Sequence, residues 1–128
     1  MATTTLVTIE DLDECNDAIR RELIRGELHE MTPAGRRHGR IAVRIGGRID
    51  AHVYARKLGE ASGAETGFML HRNPDTLLAP DAAFVRADRL VQYTDDKGYY
   101  ELAPDIAVEV ISPSDRVSYV MDKVLAYL

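Results

Sequence analysis

The segment Asp105-Ile106-Ala107-Val108-Glu109-Val110-Ile111 limits this chain more than any other. Its β-branched and apolar residues fall on both faces of an extended backbone, which predicts a central strand covered on both sides. Glu109 lies inside it. A carboxylate there carries a large desolvation cost unless a cation, metal ion or donor compensates it, so something positive is expected to face it. A structural ion pair with an arginine and a functional site both satisfy that demand.

The flanking sequence supplies partners for such a strand. Thr8 and Asp11 have capping-box spacing, so a short helix is expected from about Ile9. Glu22-Leu23-Ile24 and Glu27-Leu28-His29-Glu30-Met31 alternate around Arg25-Gly26, which reads as a hairpin. From Arg37 to Leu58 the period becomes helical, with Ile41, Ile45, Ile49 and Val53 on one face; Gly46 and Gly47 inside it suggest a closely packed neighbour. Glu65 to Leu70 and Leu77 to Val85 read as strands around the turn Arg72-Asn73-Pro74-Asp75. Residues 86 to 102 read as a loop with at most one helical turn. Ser112-Pro113 should cap a last helix carrying the stripe Val117, Val120, Met121, Val124, Leu125 and Leu128. At 128 residues and 45% hydrophobic, the chain suits one compact core and is short for two. The expectation is a single domain over 1–128, of α/β class with mixed α and β elements.

Charge and cysteine content narrow the function. A net charge of -5 with pI near 5.3 argues against non-specific coating of nucleic acid. Arg36, Arg37, Arg40, Arg44, Arg48, Arg56 and Lys57 nevertheless make one segment basic, and a polyanion would have to approach there. Cys15 is the single cysteine, and the start has no secretory pattern, so a cytoplasmic protein is expected. No run approaches the roughly 18 apolar residues of a membrane span. Phosphate loop, zinc spacing and nucleophile elbow are all missing, and Gly63 to Gly67 is no dinucleotide fingerprint, so no organic cofactor is expected.

A metal site built on Glu109 needs a second carboxylate. Asp105 shares its face but lies about 13 Å away at strand rise. Asp81 follows Ala79-Pro80 in the preceding strand segment, where the proline implies an edge, a strand start or a bulge. Pro-Asp is also a common turn dipeptide, and Pro104-Asp105 is a second one.

Taken in order, Gly26-Glu27-Leu28, Thr32-Pro33, His38-Gly39, Ala79-Pro80-Asp81 and Pro104 through Ser114 resemble the Uma-type restriction endonuclease family, a bacterial branch of the PD-(D/E)xK nuclease superfamily. The resemblance runs from about Thr8 to Leu128 and is most specific over Pro104 to Asp115. It implies a restriction-endonuclease-like core, a mixed β-sheet flanked by helices, and Mg²⁺-dependent phosphodiester cleavage, with Mn²⁺ as a substitute. Asp81 and Glu109 match the metal-binding acids. The superfamily lysine is absent, since Ile111 stands two positions after Glu109. In this branch the lysine is expected on the following helix, where Lys123 lies, one of only three lysines in the chain. Family members usually continue with further strands, which implies a C-terminus truncated relative to the family.

The remaining site candidates each have an ordinary reading beside the functional one. Lys123 shares a face with Arg116, Tyr119 and Tyr127 and can reach inward as a catalytic group, or it is a solvated helix lysine. Glu65 is a third metal ligand or an exposed strand-start acid. His38 acts near the metal or is a local cap. Arg40, Arg44 and Arg48 grip nucleic-acid phosphates or form a solvated face. The expected function is therefore a metal-dependent endonuclease. The rival is a catalytically silent nuclease-fold remnant serving dimerisation or binding, and a homodimer is expected in either case. DNA and RNA are not distinguished.

Overall fold

The computed structural model describes Thr3 and residues 5–128. Its elements in chain order are α1 (Ile9–Asp13), β1 (Arg20–Ile24), β2 (Glu27–Met31), α2 (Arg36–Arg56), β3 (Gly59–Gly63), β4 (Phe68–His71), β5 (Thr76–Leu78), β6 (Ala82–Arg86), a 3₁₀ turn (Ala87–Arg89), β7 (Ile106–Val108) and α3 (Val117–Tyr127). The strands make a four-stranded sheet in the order β2-β1-β5-β4 and a three-stranded sheet in the order β3-β6-β7. The ladders are antiparallel, and one parallel bridge joins Phe68 to Tyr100. Among the described residues no helix is long and apolar enough to cross a membrane.

Local chemistry explains the first elements. Thr8 caps α1 in a reciprocal capping box with Asp11. Arg25 and Gly26 both take positive φ, 48° and 77°, as a two-residue hairpin turn of primed type requires. The stretch Leu77 to Val85 is not one strand. It divides at Ala79-Pro80-Asp81, with β5 in one sheet and β6 in the other. Pro80 has no N–H to continue a ladder, and the chain uses that break to change sheets. Asp81 re-enters pairing at once, donating its N–H to the Val108 carbonyl at 2.9 Å.

Strand β3 has no β-branched residue, and its Gly-Glu-Ala-Ser-Gly composition hides it from a propensity reading. It pairs with β6 over its full length, beside α2. A Cβ on Gly59, whose φ is 152°, would lie 2.0 Å from the Val85 carbonyl oxygen. Gly59→Ala should therefore cost about 3 kcal/mol, read from the urea midpoint. Gly46 packs toward Ala82 at ordinary contact distance, while Gly47 has no such neighbour.

Two apolar clusters form the core. Ile9, Leu23 and Leu77 pack between α1 and the larger sheet, and Phe68, Ala83 and Val85 pack across the two sheets. Asp75, 4% exposed, pins α1 to this core by accepting the Ile9 N–H at 2.9 Å. That bond, followed by those from Asn73 and Arg72, holds its carboxyl below the usual carboxylate range. A depressed acid contributes stability that is complete above its unfolded value, near 3.9, and lost as pH falls through the folded value. Asp75→Asn should cost about 2 kcal/mol at pH 7 and flatten the acid limb of a thermal-melting series run from pH 7 to pH 2.

Two expectations about the C-terminal third need correction. β7 is the last strand of its three-stranded sheet, and Ile106 and Ile111 are 47% and 66% exposed, so the segment is not central. The final helix begins at Val117 with Arg116 as N-cap, four residues after Pro113. Ser112 and Asp115 instead close a local turn, Asp115 accepting the Ser112 N–H at 2.6 Å.

Candidate active site

Helix α3 turns its polar face inward. Tyr119, Lys123 and Tyr127 recur every fourth residue and so lie on one side of the helix. Val117, Leu125 and Leu128 of its apolar stripe are 78%, 65% and 96% exposed, whereas Lys123 is buried. The Lys123 ammonium bridges two carboxylates, Glu22 on β1 at 3.0 Å and Glu109 after β7 at 2.7 Å. Tyr119 donates to Glu22 at 2.9 Å and Tyr127 donates to Glu109 at 3.0 Å. The His29 ring stacks on Tyr119 at 4.3 Å between centroids, holding that phenol in place.

Burial sets the electrostatics of this group. It pushes the Glu109 carboxyl above its ordinary range, against the pull of Lys123 and Tyr127. It opposes the charged form of Lys123 as well, but Glu22 and Glu109 outweigh it and hold the ammonium above the ordinary lysine value. Both phenols are pushed well up, first by burial and then by the carboxylates they face.

Strand pairing relates Asp81 to Glu109. β6 and β7 pair Ala82 with Val108 and Ala83 with Ala107. Asp81 lies one residue before β6 and Glu109 one residue after β7, so the antiparallel pairing brings both to the same end of these two strands. The Asp81 Oδ2 accepts the Val110 N–H at 2.7 Å and lies 3.3 Å from the His38 Nε2. Asp81, Glu109, Lys123 and His38 all line one open cleft of about 490 Å³, with Arg20, Arg36 and Arg37 also on its walls.

The other sequence candidates lie elsewhere. Glu65 is in the turn between β3 and β4 with φ 74°, its side chain 70% exposed and 3.6 Å from Arg20, and it is not among the residues lining the cleft. Arg40, Arg44 and Arg48 are exposed along α2. Arg40 is two residues on from His38, about 200° around the helix, so this stripe points away from Asp81. Asp105, set aside on distance, accepts the Arg86 N–H at 2.8 Å and pairs with Arg89 at 2.9 Å. It ties the end of β6 to the loop before β7.

Glu22 is the residue that sequence reasoning missed. The hairpin pattern gives it no site role, yet it is 1% exposed, and its neighbours Leu23 and Ile24 are also buried. The signal was present in those two consecutive apolar residues, which do not fit one-sided burial. The inward tyrosines of α3 were visible only as a spacing.

Mg²⁺ takes oxygen donors and is commonly held by one or two carboxylates, with water and substrate phosphate completing the shell. Asp81 and Glu109 fit that demand, being carboxylates exposed to one solvent-filled cleft. Among the described residues no three His, Cys, Asp or Glu side chains form a ready-made cage. The chemistry open to this arrangement is therefore that of a two-carboxylate cation site with an ammonium beside it.

Comparison with known proteins bears on the same region. Over residues 8–128 the chain matches the family model Uma2, described as "Putative restriction endonuclease". Among solved structures it is similar to a crystal structure from Anabaena variabilis reported as "a putative nuclease belonging to DUF820", with a TM-score of 0.78 and 20% identity. The match covers 95% of this chain and 68% of that one. At such identity the likeness speaks for the fold. No curated protein matches the chain significantly.

Proposed function

The chain belongs to the Uma2 restriction endonuclease family, and we propose on that premise that it is a Mg²⁺-dependent endonuclease hydrolysing phosphodiester bonds. One observation carries the reading. Asp81 and Glu109, both half-buried, line one cleft together with His38 and Lys123, and Glu22 is buried behind the Lys123 ammonium. Lys123 is shared between Glu22 and Glu109, so the two acids that face the cleft, Asp81 and Glu109, have carboxylate lone pairs to offer a further cation. A divalent cation in the cleft would engage both.

Asp81 and Glu109 would hold the ion. A bound Mg²⁺ supplies Lewis-acid polarisation of the phosphoryl group. His38, against Asp81 Oδ2, restricts how that carboxylate can turn. Lys123 has three N–H donors and, among the described residues, two carboxylate partners, Glu22 and Glu109, which leaves one donor to orient an attacking water or to offset charge on a phosphoryl oxygen. Arg36 and Arg37 at the cleft wall suit the flanking phosphates better than the Arg40 stripe does.

Calorimetric titration of Mg²⁺ and Mn²⁺, with Glu109→Gln as control, tests the reading before any substrate is chosen. Saturable binding lost in the variant, followed by cleavage of plasmid DNA or of RNA, is the expected result. A protein that binds neither ion and cuts neither polymer would overturn it.

The exposed apolar stripe of α3, together with the edge position of β7 in its sheet, favours a second reading, a silent nuclease fold that serves self-association. Light scattering at micromolar concentration is expected to show a dimer. Dimerisation without metal binding would select this second reading, and a clean monomer would count against it.

A further inference from the structure

We infer that Glu22 is the positioning residue for Lys123, holding its ammonium in the cleft independently of Glu109, so that the lysine stays in place when Glu109 turns to a divalent cation. The inference rests on the nuclease reading for its purpose but not for its geometry.

Glu22 lies on β1, an inner strand of the larger sheet, with 1% exposure. Its two oxygens meet three donors. Oε2 accepts the Ala79 N–H at 2.8 Å, and Oε1 accepts the Tyr119 hydroxyl at 2.9 Å and the Lys123 ammonium at 3.0 Å. Every group facing it donates. Only an acceptor-only side chain satisfies such a set, because an amide would turn its NH₂ toward either Ala79 or Lys123. The identity of the residue is thus fixed by its surroundings.

The placement of those donors gives the carboxylate a role beyond local satisfaction. Ala79 is two residues before Asp81, and Lys123 is the cation beside Glu109. One rigid carboxylate therefore sets the relation between the lysine on α3 and the crossing segment that carries the aspartate. Glu109 is 20% exposed at the side chain, against 1% for Glu22. It is the partner that solvent and a cation can reach, and Glu22 is the partner they cannot.

Lysine ammonium groups held by hydrogen bonds exchange slowly enough to be seen by ¹⁵N NMR, which reads Lys123 directly and needs no substrate. A slowly exchanging ammonium signal is expected in the native protein, in Glu109→Gln and in the protein saturated with Mg²⁺. It should vanish, or exchange at least ten times faster, in Glu22→Gln. Loss of the signal in Glu109→Gln or on Mg²⁺ saturation, or its survival in Glu22→Gln, would overturn the assignment. If Glu22→Gln does not fold, as its amide spectrum would reveal, the other two measurements still decide. Where cleavage is observed, Glu22→Gln should lower kcat in the native background and change nothing further in Lys123→Met, whereas a purely structural role predicts additive losses. Failure of cleavage and of metal binding would remove the nuclease reading and leave the Glu109→Gln comparison intact.

Discussion

Asp81→Asn is expected to lower the rate of Mg²⁺-dependent cleavage by at least about 10³-fold, roughly 4 kcal/mol of transition-state stabilisation, with little change in stability. The asparagine keeps the shape of the side chain and an oxygen to accept the Val110 N–H, so the start of β6 should remain in place. What it loses is the charge that a cation needs. Glu109→Gln should cost as much, because both carboxylates stand at the same end of the β6–β7 pair and line the same cleft. Glu65→Gln should stay within about threefold of the native rate, since its side chain lies on an exposed turn outside the cleft. Single-turnover cleavage measured across these three variants separates the pair from the bystander. Equal losses in all three, or none in Asp81→Asn, would remove Asp81 from the mechanism.

The second large effect is on folding. Lys123→Met should destabilise the protein by about 3–5 kcal/mol, because it strips the shared cation from two carboxylates and leaves Glu22 uncompensated in the core. Methionine fills much the same volume, so the loss is electrostatic rather than a cavity effect. Adding Glu22→Gln to this variant should restore part of the stability, since the buried charge is then gone. Urea denaturation of the two single variants and the double variant measures both changes. A double variant less stable than Lys123→Met alone would show that Glu22 contributes through its other contacts more than through its charge.

These two predictions rest on residues that differ in how far sequence reveals them. The Thr8 and Asp11 box, the Arg25-Gly26 turn and the long helix α2 follow from local chemistry, and each stands where that chemistry puts it. Asp81 and Glu109 are visible as acids in strand segments, but their sharing one cleft depends on the pairing of β6 with β7, which no single segment encodes. β3 is invisible because its small residues serve the approach of α2 rather than any strand propensity. Lys123 follows from its spacing with Tyr119 and Tyr127, while hydropathy points the other side of α3 inward. The helix resolves that conflict by turning its polar face to Glu22 and Glu109, where partners of opposite charge await it.

The crossing at Ala79-Pro80-Asp81 bears on which changes in chain length this fold can accept. Ala79 donates its N–H to the Glu22 carboxylate and Asp81 donates its own to the Val108 carbonyl, so one residue inserted or deleted between Leu78 and Ala82 would break one of these bonds and displace Asp81 in the cleft. The exposed residues 94–98, ahead of the Tyr100 bridge to Phe68, can lengthen or shorten at modest cost. Variation in length among natural or engineered versions of this chain should therefore accumulate after β6 and stop sharply before it.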